Sequence, residues 1–195
     1  MHHSLAALDA ALRTRGSRLL IRRGPSQQAL SALVRETGAE AVFWNRKYEP
    51  ATQPRDAAIK RDLKEQGLQV ESFNGALLFE PWSLATQQGG PDIVFAAVWR
   101  KASSHMPSPL LHAAPGSLPG VAEKHASESL QSLGLQPALG WDKQFWATWQ
   151  PGEAGAHEAL EVFVEGALRG YRSGRDRPDR VGTSLLSPHL HFGEI

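Results

Sequence analysis

Hydrophobic residues in the first half of the chain recur with helical spacing in some segments and run together in short stretches in others. Leu5, Leu8 and Leu12 mark one face of a first helix. The three helices predicted here would end at Gly16, Gly38 and Gly67. Apolar runs of strand length lie at residues 18–22, 41–44 and 68–73. Because single helices separate these runs, the pattern predicts right-handed crossovers and a parallel α/β sheet.

No strand precedes the first predicted helix. A doubly wound sheet usually has a strand on each side of its first crossover, so the pattern predicts an incomplete doubly wound parallel sheet. One edge of such a sheet would be unpaired, with its backbone N–H and C=O groups open to association. We expect this partial α/β domain to occupy residues 1–102.

Proline, serine and glycine become frequent over residues 103–140, which we expect to be an interdomain linker. Its prolines are Pro107, Pro109, Pro115, Pro119 and Pro137. Helical spacing returns from Asp142 to Tyr171. One apolar stripe of this segment consists of Leu160, Phe163, Val164 and Leu168. The stripe has no partner helices within this sequence, so residues 141–195 are predicted to be the first helices of an all-α domain.

Composition and charge restrict the function only loosely. Hydrophobic residues make up 41% of the chain and charged residues 21%, as in a soluble globular protein, and no apolar run is long enough to span a membrane. The absence of cysteine excludes disulfides and thiolate metal sites and is compatible with the cytoplasm, where we expect the protein. A net charge of +1 gives no overall attraction to nucleic acid, so any DNA affinity must come from a local patch.

The last fifteen residues concentrate small and hydroxyl-bearing side chains. Gly182, Thr183, Ser184 and Ser187 offer free backbone N–H groups and hydroxyl donors at one place, which suits a pyrophosphate, especially where a helix begins. The alternative is an ordinary capped loop, because serine and threonine are common helix N-caps.

Three motifs follow one another in order from residue 149 to the end. They are Trp149-Gln150-Pro151-Gly152-Glu153 with Ala156, then Tyr171 with Arg175-Asp176 and Pro178, then Gly182-Thr183-Ser184 through Ser187-Pro188-His189 to Gly193-Glu194. Together they resemble the DNA photolyase/cryptochrome family, with class I deoxyribodipyrimidine photolyase as the expected member. The resemblance is strong over residues 141–195 and looser over residues 2–102. Family members are considerably longer, so the chain is expected to be a piece truncated at both ends and inactive alone.

The resemblance implies that the all-α domain binds FAD. The matching positions are Tyr171, Thr183, Ser184, Leu185, Leu186 and Ser187. The tyrosine and the hydroxyls would contact the ribityl-phosphate portion, while backbone groups from Thr183 to Ser187 would face the diphosphate. Leu185 stands where the family frequently has arginine, so a charge supplied by that arginine would be missing while the backbone contact survives.

By the same resemblance, the whole protein would be a monomeric, blue-light-driven lyase that repairs cyclobutane pyrimidine dimers in DNA, without a membrane partner. Arg175 matches the arginine that contacts the DNA backbone near the lesion. Further arginines close by are Arg169, Arg172, Arg177 and Arg180. Five such guanidinium groups could grip phosphates, although Asp176 and Asp179 also fit a solvated helix end with ion pairs. No catalytic side chain is assigned.

Two other functions remain open. A cryptochrome-like blue-light signalling flavoprotein would share nearly all of these motifs, and only other regions of the protein and a dimer-repair assay would separate it from a photolyase. A stand-alone α/β nucleotide-binding module would instead have a complete sheet, a stable fold by itself and no flavin.

A second chromophore site is suggested by the segment after the second predicted strand, since α/β sheets bind ligands beyond the carboxyl ends of their strands. Residues 45–56, with Asn45, Tyr48-Glu49 and Arg55-Asp56, resemble the segment that lines the antenna pocket of the family. Folate-using photolyases have an Asn-Glu pair where this chain has Ala51 and Thr52. These residues argue against a methenyltetrahydrofolate antenna and leave a deazaflavin, no antenna or a purely structural loop open.

Two further patterns are interpreted as structural. His189 and His191 have the spacing of two metal ligands, but no third ligand accompanies them, so no metal site is predicted. Trp141, Trp146 and Trp149 are interpreted as packing residues, because large aromatic side chains usually serve burial and the family's electron relay belongs to another region.

Overall fold

The computed structural model describes residues 1–84, 94–104, 106 and 112–195. The chain forms two compact units. One contains Ser26–Ala114, and the other contains Met1–Pro25 together with Pro115–Ile195. The domain boundaries at residues 102 and 140 stay predictions, and Pro107 and Pro109 of the predicted linker lie outside the described residues.

Nine elements of regular secondary structure can be labelled in chain order within the described residues. The helices are α1 (His2–Thr14), α2 (Ser26–Thr37), α3 (Thr52–Glu65), α4 (Phe95–Ser104), α5 (Glu153–Glu165), α6 (Tyr171–Gly174) and α7 (Ser187–Phe192). The strands are β1 (Ala41–Asn45) and β2 (Gln69–Phe73). Short 3-10 segments lie at Pro81–Leu84, Gln131–Leu133, Gly140–Ala147 and Leu168–Gly170.

The unit of Ser26–Ala114 is built on the parallel pair β1 and β2, which confirms the predicted α/β class. Ala41 lies opposite Gln69, and Asn45 lies opposite Phe73. Alternate residues of the strands face α3, so Val70 packs with Ile59 and Leu63 in a buried core. Partly buried side chains around this core are Leu30, Val42, Trp44 and Leu68.

The opposite face of the strand pair is uncovered in the described part of the chain. Phe43 and Phe73 lie on this face with 54% and 52% of their surface exposed, and their ring centroids are 6.2 Å apart. Parallel sheets normally bury both faces. The exposed phenylalanines therefore agree with the prediction of an incomplete sheet.

The prediction of a strand at residues 18–22 is wrong. This segment has no regular secondary structure and belongs to the unit of Met1–Pro25 and Pro115–Ile195. The N–H of Ile21 donates to the Ser127 hydroxyl, and the N–H of Glu128 donates to the carbonyl of Ile21. The Arg18 guanidinium donates to the carbonyls of Ala122 and His125. A short apolar run is typical of a strand, but here isolated contacts with residues 122–128 take the place of a strand ladder.

The helical spacing predicted from Asp142 to Tyr171 is interrupted in the structure. A 3-10 segment ends at Ala147, and α5 begins only after Pro151 and Gly152. Gly152 has a φ of +105°, a conformation that leucine or alanine would adopt only with strain, so the chain turns sharply before α5. The predicted stripe therefore lies mainly on α5, with Leu168 in the following 3-10 segment.

Helix α1 packs against the start of α5 and the end of α7 within one unit. The rings of His3 and Trp146 meet edge to face at 4.4 Å. A Cβ on Gly152 would lie 2.8 Å from the Cβ of Ala7, which shows how closely α1 approaches the turn before α5. The first helix is therefore part of the structure that surrounds the carboxyl-terminal motifs.

None of the helices in the described ranges combines the length and the apolar character that a membrane-spanning helix requires.

Candidate functional site

A backbone contact between Gly174, at the end of α6, and Gly182 fixes the geometry of the site. Both glycines are buried. A Cβ on Gly182 would lie 2.2 Å from the carbonyl oxygen of Gly174, well inside contact distance, so no larger residue fits without a backbone shift. The contact holds the segment that follows Gly182 against α6, whose first residue is Tyr171.

A strained turn follows in the same segment. Leu185 has a φ of +55° and is the only non-glycine residue with a positive φ among those the structure describes. A left-handed backbone costs a non-glycine residue about 1–2 kcal/mol. The indole Nε1–H of Trp149 donates to the carbonyl oxygen of Leu185 at 2.9 Å, and the N–H of Leu186 donates to the Ser184 hydroxyl at 3.4 Å. These two hydrogen bonds stabilise the turn.

The turn has the backbone geometry of an anion-binding concavity. Leu185 has left-handed backbone, and Leu186 follows with φ −79° and ψ −9° in the right-handed region. An alternation of hand between neighbouring residues points successive N–H groups to one side, where they attract anions. Helix α7 begins here but has only six residues. The capacity to bind an anion is therefore attributed to the N–H and hydroxyl donors of the turn and not to the helix dipole.

A cavity of about 700 Å³ opens beside this turn, within the range typical of small-molecule sites. One wall comes from α5 and another from the aromatic residues before it. The lining residues that matter here are Trp146, Trp149, Ala159, Val162, Phe163, Thr183, Ser184 and Leu185. The cavity therefore combines an apolar and aromatic wall with one edge of hydroxyls and backbone donors.

The structure brings half of the predicted cofactor residues to this cavity. Thr183, Ser184 and Leu185 line it, whereas Tyr171, Leu186 and Ser187 are not among its lining residues. The Tyr171 ring instead meets the edge of Phe163 at 5.7 Å, and Phe163 lines the cavity. Leu186 contributes its N–H to the turn, and Ser187 is the exposed first residue of α7. Their roles toward a cofactor stay predictions.

The predicted DNA-contacting residue lines a second opening beside the same turn. Thr183 and Leu185 also border a shallow opening of about 430 Å³ lined by Arg175, Arg177 and Arg180. The Arg175 guanidinium lies over the Tyr171 ring at 5.7 Å, and its Nε is 3.4 Å from Asp176 Oδ1. This long, exposed ion pair is weak, so the guanidinium keeps its capacity to bind an anion.

The neighbouring arginines differ in how far their charge is already used. Arg177 forms two hydrogen bonds with Asp179, of 2.7 and 2.6 Å, and this partner lowers the pKa of the Asp179 carboxyl. Arg180 donates to the carbonyl of Ser173 at 3.3 Å. Within this group Arg177 is the most fully neutralised, which makes Arg175 and Arg180 the better anion partners.

A buried pair of side chains lies next to the cavity, which His189 helps to line. His189 is 2% exposed and Glu194 is 8% exposed, and His189 Nδ1 lies 2.6 Å from Glu194 Oε2. Burial alone would raise the pKa of Glu194, but the polar groups near its carboxylate, which are the Ser4 hydroxyl, the His189 ring and the Gly152 N–H, lower it overall. The pair connects α7 to α1 and to the turn before α5. The described residues contain no group of three or more His, Cys, Asp or Glu suited to a metal ion.

A smaller cavity of about 260 Å³ lies at the carboxyl ends of β1 and β2, where the antenna segment was predicted. Arg46 lies 3.2 Å from Glu80 and under the Trp82 ring at 5.6 Å, and the Tyr48 ring packs 6.1 Å from Trp82. Burial and the Glu80 charge raise the pKa of Tyr48. Ala51 and Thr52 are not among the residues that line this cavity, so the argument from them concerns the start of α3 rather than the cavity wall.

Sequence reasoning missed two features of the site. Trp149 was interpreted as packing, yet its indole N–H holds the carbonyl of Leu185. The His189–Glu194 pair was missed because Glu194 was considered only as the end of a motif. The five-residue spacing of a histidine and a glutamate across a helix end could have suggested the pair, whereas nothing local predicted that Trp149 reaches a residue 36 positions away.

Comparison with known proteins supplies a family. A family model described as DNA photolyase matches residues 1–117. Over its whole length the chain is 44% identical to a protein named deoxyribodipyrimidine photo-lyase from Agrobacterium fabrum and covers 41% of that protein. It is 37% identical to Cryptochrome-1 of Arabidopsis thaliana, of which it covers 29%.

Solved structures agree. The chain superposes with a TM-score of 0.89 on a crystal structure described as a bacterial class III photolyase from Agrobacterium tumefaciens, at 44% identity, covering all of this chain and 40% of that one. It superposes with a TM-score of 0.81 on a Synechocystis cryptochrome at 18% identity, covering 99% of this chain and 41% of that one, a likeness that shows the fold alone. The chain thus spans about two-fifths of the length of these two proteins.

Replacing Gly182 with alanine should separate the turn from α6, because the new Cβ would meet the carbonyl of Gly174. We expect a loss of about 1–3 kcal/mol in the free energy of unfolding, the usual cost of overpacking, measured by chemical denaturation. Gly170→Ala is the matched control, since nothing lies within 4 Å of a Cβ there. Equal stability of the two variants would contradict the contact.

Replacing Glu194 with glutamine should change how stability depends on pH. A carboxylate whose pKa is lowered by folding stabilises the native state above its ordinary pKa of 4.5, and this contribution is lost as the pH falls through the lower folded value. Glu194→Gln should cost about 1–3 kcal/mol at neutral pH, with the difference from wild type shrinking in acid. The exposed Glu165→Gln should show no such change in slope. Parallel stability curves for wild type and Glu194→Gln would exclude this role of the pair.

Proposed function

Since the chain belongs to the DNA photolyase family, we propose that its carboxyl-terminal turn holds the diphosphate of FAD in a deoxyribodipyrimidine photolyase. The family resemblance predicted from the three motifs is thereby confirmed. The proposal rests on one observation: Thr183, Ser184 and Leu185 line a cavity of about 700 Å³, and the N–H of Leu186 lies beside the Ser184 hydroxyl in the same turn.

The residues present fit such a cofactor. A diphosphate needs several hydrogen-bond donors converging on concentrated negative charge. The turn offers the hydroxyls of Thr183 and Ser184 and a left-handed and right-handed residue pair, whose Leu186 N–H also donates over a long 3.4 Å to Ser184. The aromatic and apolar walls formed by Trp146, Trp149 and Phe163 suit the uncharged parts of a dinucleotide. Tyr171, Leu186 and Ser187 complete the proposed set; the Tyr171 ring packs against Phe163, which lines the cavity.

When bound, reduced FAD would supply the light-driven electron chemistry that splits the cyclobutane ring of a pyrimidine dimer. The residues of this chain would bind the cofactor, orient it and exclude water from its diphosphate. The family's cofactors generally do the chemistry while the protein supplies position and electrostatics. We assign no catalytic side chain within this chain.

DNA binding is proposed for the arginine surface beside the same turn. Arg175 and Arg180 offer guanidinium groups that are only weakly paired, and phosphate contacts by such groups give affinity without reading sequence. Because a net charge of +1 gives the chain no overall attraction to nucleic acid, affinity for a DNA backbone must come from a local group of arginines such as this one. The partner is DNA that contains pyrimidine dimers, since a damaged pair costs less to flip out of the helix than a normal one. We propose that the whole protein acts as a cytoplasmic monomer.

The photolyase subclass that the comparisons favour differs from the one that the sequence motifs predict. The Agrobacterium structure with 44% identity is described as a class III photolyase, which favours class III over the predicted class I. The identities of 37% and 35% to plant Cryptochrome-1 and Cryptochrome-2 support a second candidate, a blue-light signalling flavoprotein. No identity is proposed for an antenna chromophore at the strand-end cavity of about 260 Å³, whose lining includes Arg46 and Trp82.

The product of the complete reading frame that contains this chain should purify with bound flavin, or take it up when FAD is added. In the presence of a reductant and blue light it should convert dimer-containing oligonucleotides to undamaged ones, followed by chromatography of the product. Flavin binding without repair would favour the signalling function. A folded protein that neither carries nor binds flavin would contradict both.

Replacing Arg175 with glutamine should weaken binding of dimer-containing DNA by removing one phosphate contact. Losing one contact should also lower the slope of log affinity against log salt by about 1 and act equally on different sequences. Fluorescence anisotropy at several salt concentrations measures both quantities. Arg61→Gln removes the same charge from the exposed surface of α3 and should leave the slope unchanged. An unchanged slope for Arg175→Gln would remove this residue from the interface.

A further inference from the structure

We propose that Trp149 is a positioning residue for the FAD diphosphate, acting through the hydrogen bond from its indole N–H to the carbonyl of Leu185. The inference rests on the proposed FAD site and adds to it a residue that touches the loop rather than the charge. It concerns the shape of the loop, whereas the ring of Trp149 alone would only form part of the cavity wall.

The backbone of Leu185 is held in a strained conformation. Its φ of +55° is one that leucine adopts only when the surroundings enforce it, and no other non-glycine residue in the described part of the chain does so. If Leu185 relaxed to an ordinary extended or right-handed conformation, the peptide groups on both sides of it would rotate. The N–H of Leu186 would then lose its present direction beside the Ser184 hydroxyl.

The Trp149 indole that donates this hydrogen bond is itself held in place by its neighbours. The backbone N–H of Trp149 donates to the carbonyl of Phe145 at 2.9 Å, and the Phe145 ring meets the Trp149 ring edge to face at 6.0 Å. The side chain is half-buried and directly precedes the turn that starts α5. An indole held in this way offers its N–H in a fixed direction, as a support for a functional loop requires.

The same hydrogen bond fixes the direction of the Leu185 carbonyl. Because the carbonyl of Leu185 is engaged by Trp149, it is not free to turn toward an anion and repel it. The opposite alternative, with this carbonyl facing the cavity, would place an acceptor where the diphosphate needs donors. One hydrogen bond therefore both stabilises the left-handed residue and keeps acceptor atoms away from the anion.

The test is a double-mutant cycle on FAD affinity, with Trp149→Phe and Leu185→Gly made singly and together in the product of the complete reading frame. Phenylalanine keeps an aromatic wall but removes the donor. In the leucine background Trp149→Phe should weaken FAD binding about tenfold, the effect of one hydrogen bond. In the glycine background the same change should cost clearly less than in the leucine background, because glycine takes a positive φ without strain and only the orientation of the carbonyl at residue 185 is still lost.

Two further variants keep the proposal testable if Trp149→Phe fails to fold. Leu185→Val leaves the indole intact but disfavours a positive φ, and should weaken FAD binding to a similar degree. Trp141→Phe, at an exposed tryptophan outside the cavity, is the control and should bind FAD like wild type. Thermal unfolding of each apo protein shows whether a change in affinity reflects the loop or a general loss of folding.

An equal loss from Trp149→Phe in both backgrounds would overturn the proposal and make Trp149 a wall residue only. Wild-type affinity for Trp149→Phe or for Leu185→Val would overturn it as well. Failure of the folded wild-type protein to bind FAD is a separate outcome, since it would remove the proposed function on which this inference rests.

Discussion

The whole site depends on the close approach of two backbones at Gly174 and Gly182. Neither residue carries a Cβ, and a Cβ on Gly182 would collide with the carbonyl of Gly174. Because of this contact, the helix that carries Tyr171 and the turn that carries Thr183 and Ser184 lie side by side. The segment after Gly182 thereby presents Thr183, Ser184 and Leu185 to a cavity.

The fixed turn separates two surfaces of different chemistry. One side is an aromatic and apolar cavity, and the other is an exposed group of arginines that begins with Arg175. Thr183 and Leu185 border both. A cofactor diphosphate and a DNA phosphate are both anions, and in the proposed arrangement both would lie close to these few residues. The buried pair of His189 and Glu194 lies next to helix α1 and stabilises α7, the helix that follows the turn.

Much of this architecture could be predicted from the sequence, because it follows from local patterns. The spacing of Leu5, Leu8 and Leu12 gives α1, and the apolar run from residue 41 gives β1. Residues 18–22 carry an equally good strand pattern, yet their partners are the Ser127 hydroxyl and the Glu128 N–H, which no local pattern encodes. Motifs identified the residues of the turn. They could not reveal the left-handed backbone of Leu185 or its bond to Trp149, because both arise from contacts between distant segments.

A crystal structure of the protein with FAD bound would show whether the turn holds the diphosphate. We expect diphosphate oxygens about 2.7–3.2 Å from N–H or hydroxyl groups of residues 183–187, with Leu185 still left-handed. A diphosphate bound elsewhere, with residues 182–187 facing away from the cofactor, would contradict this expectation.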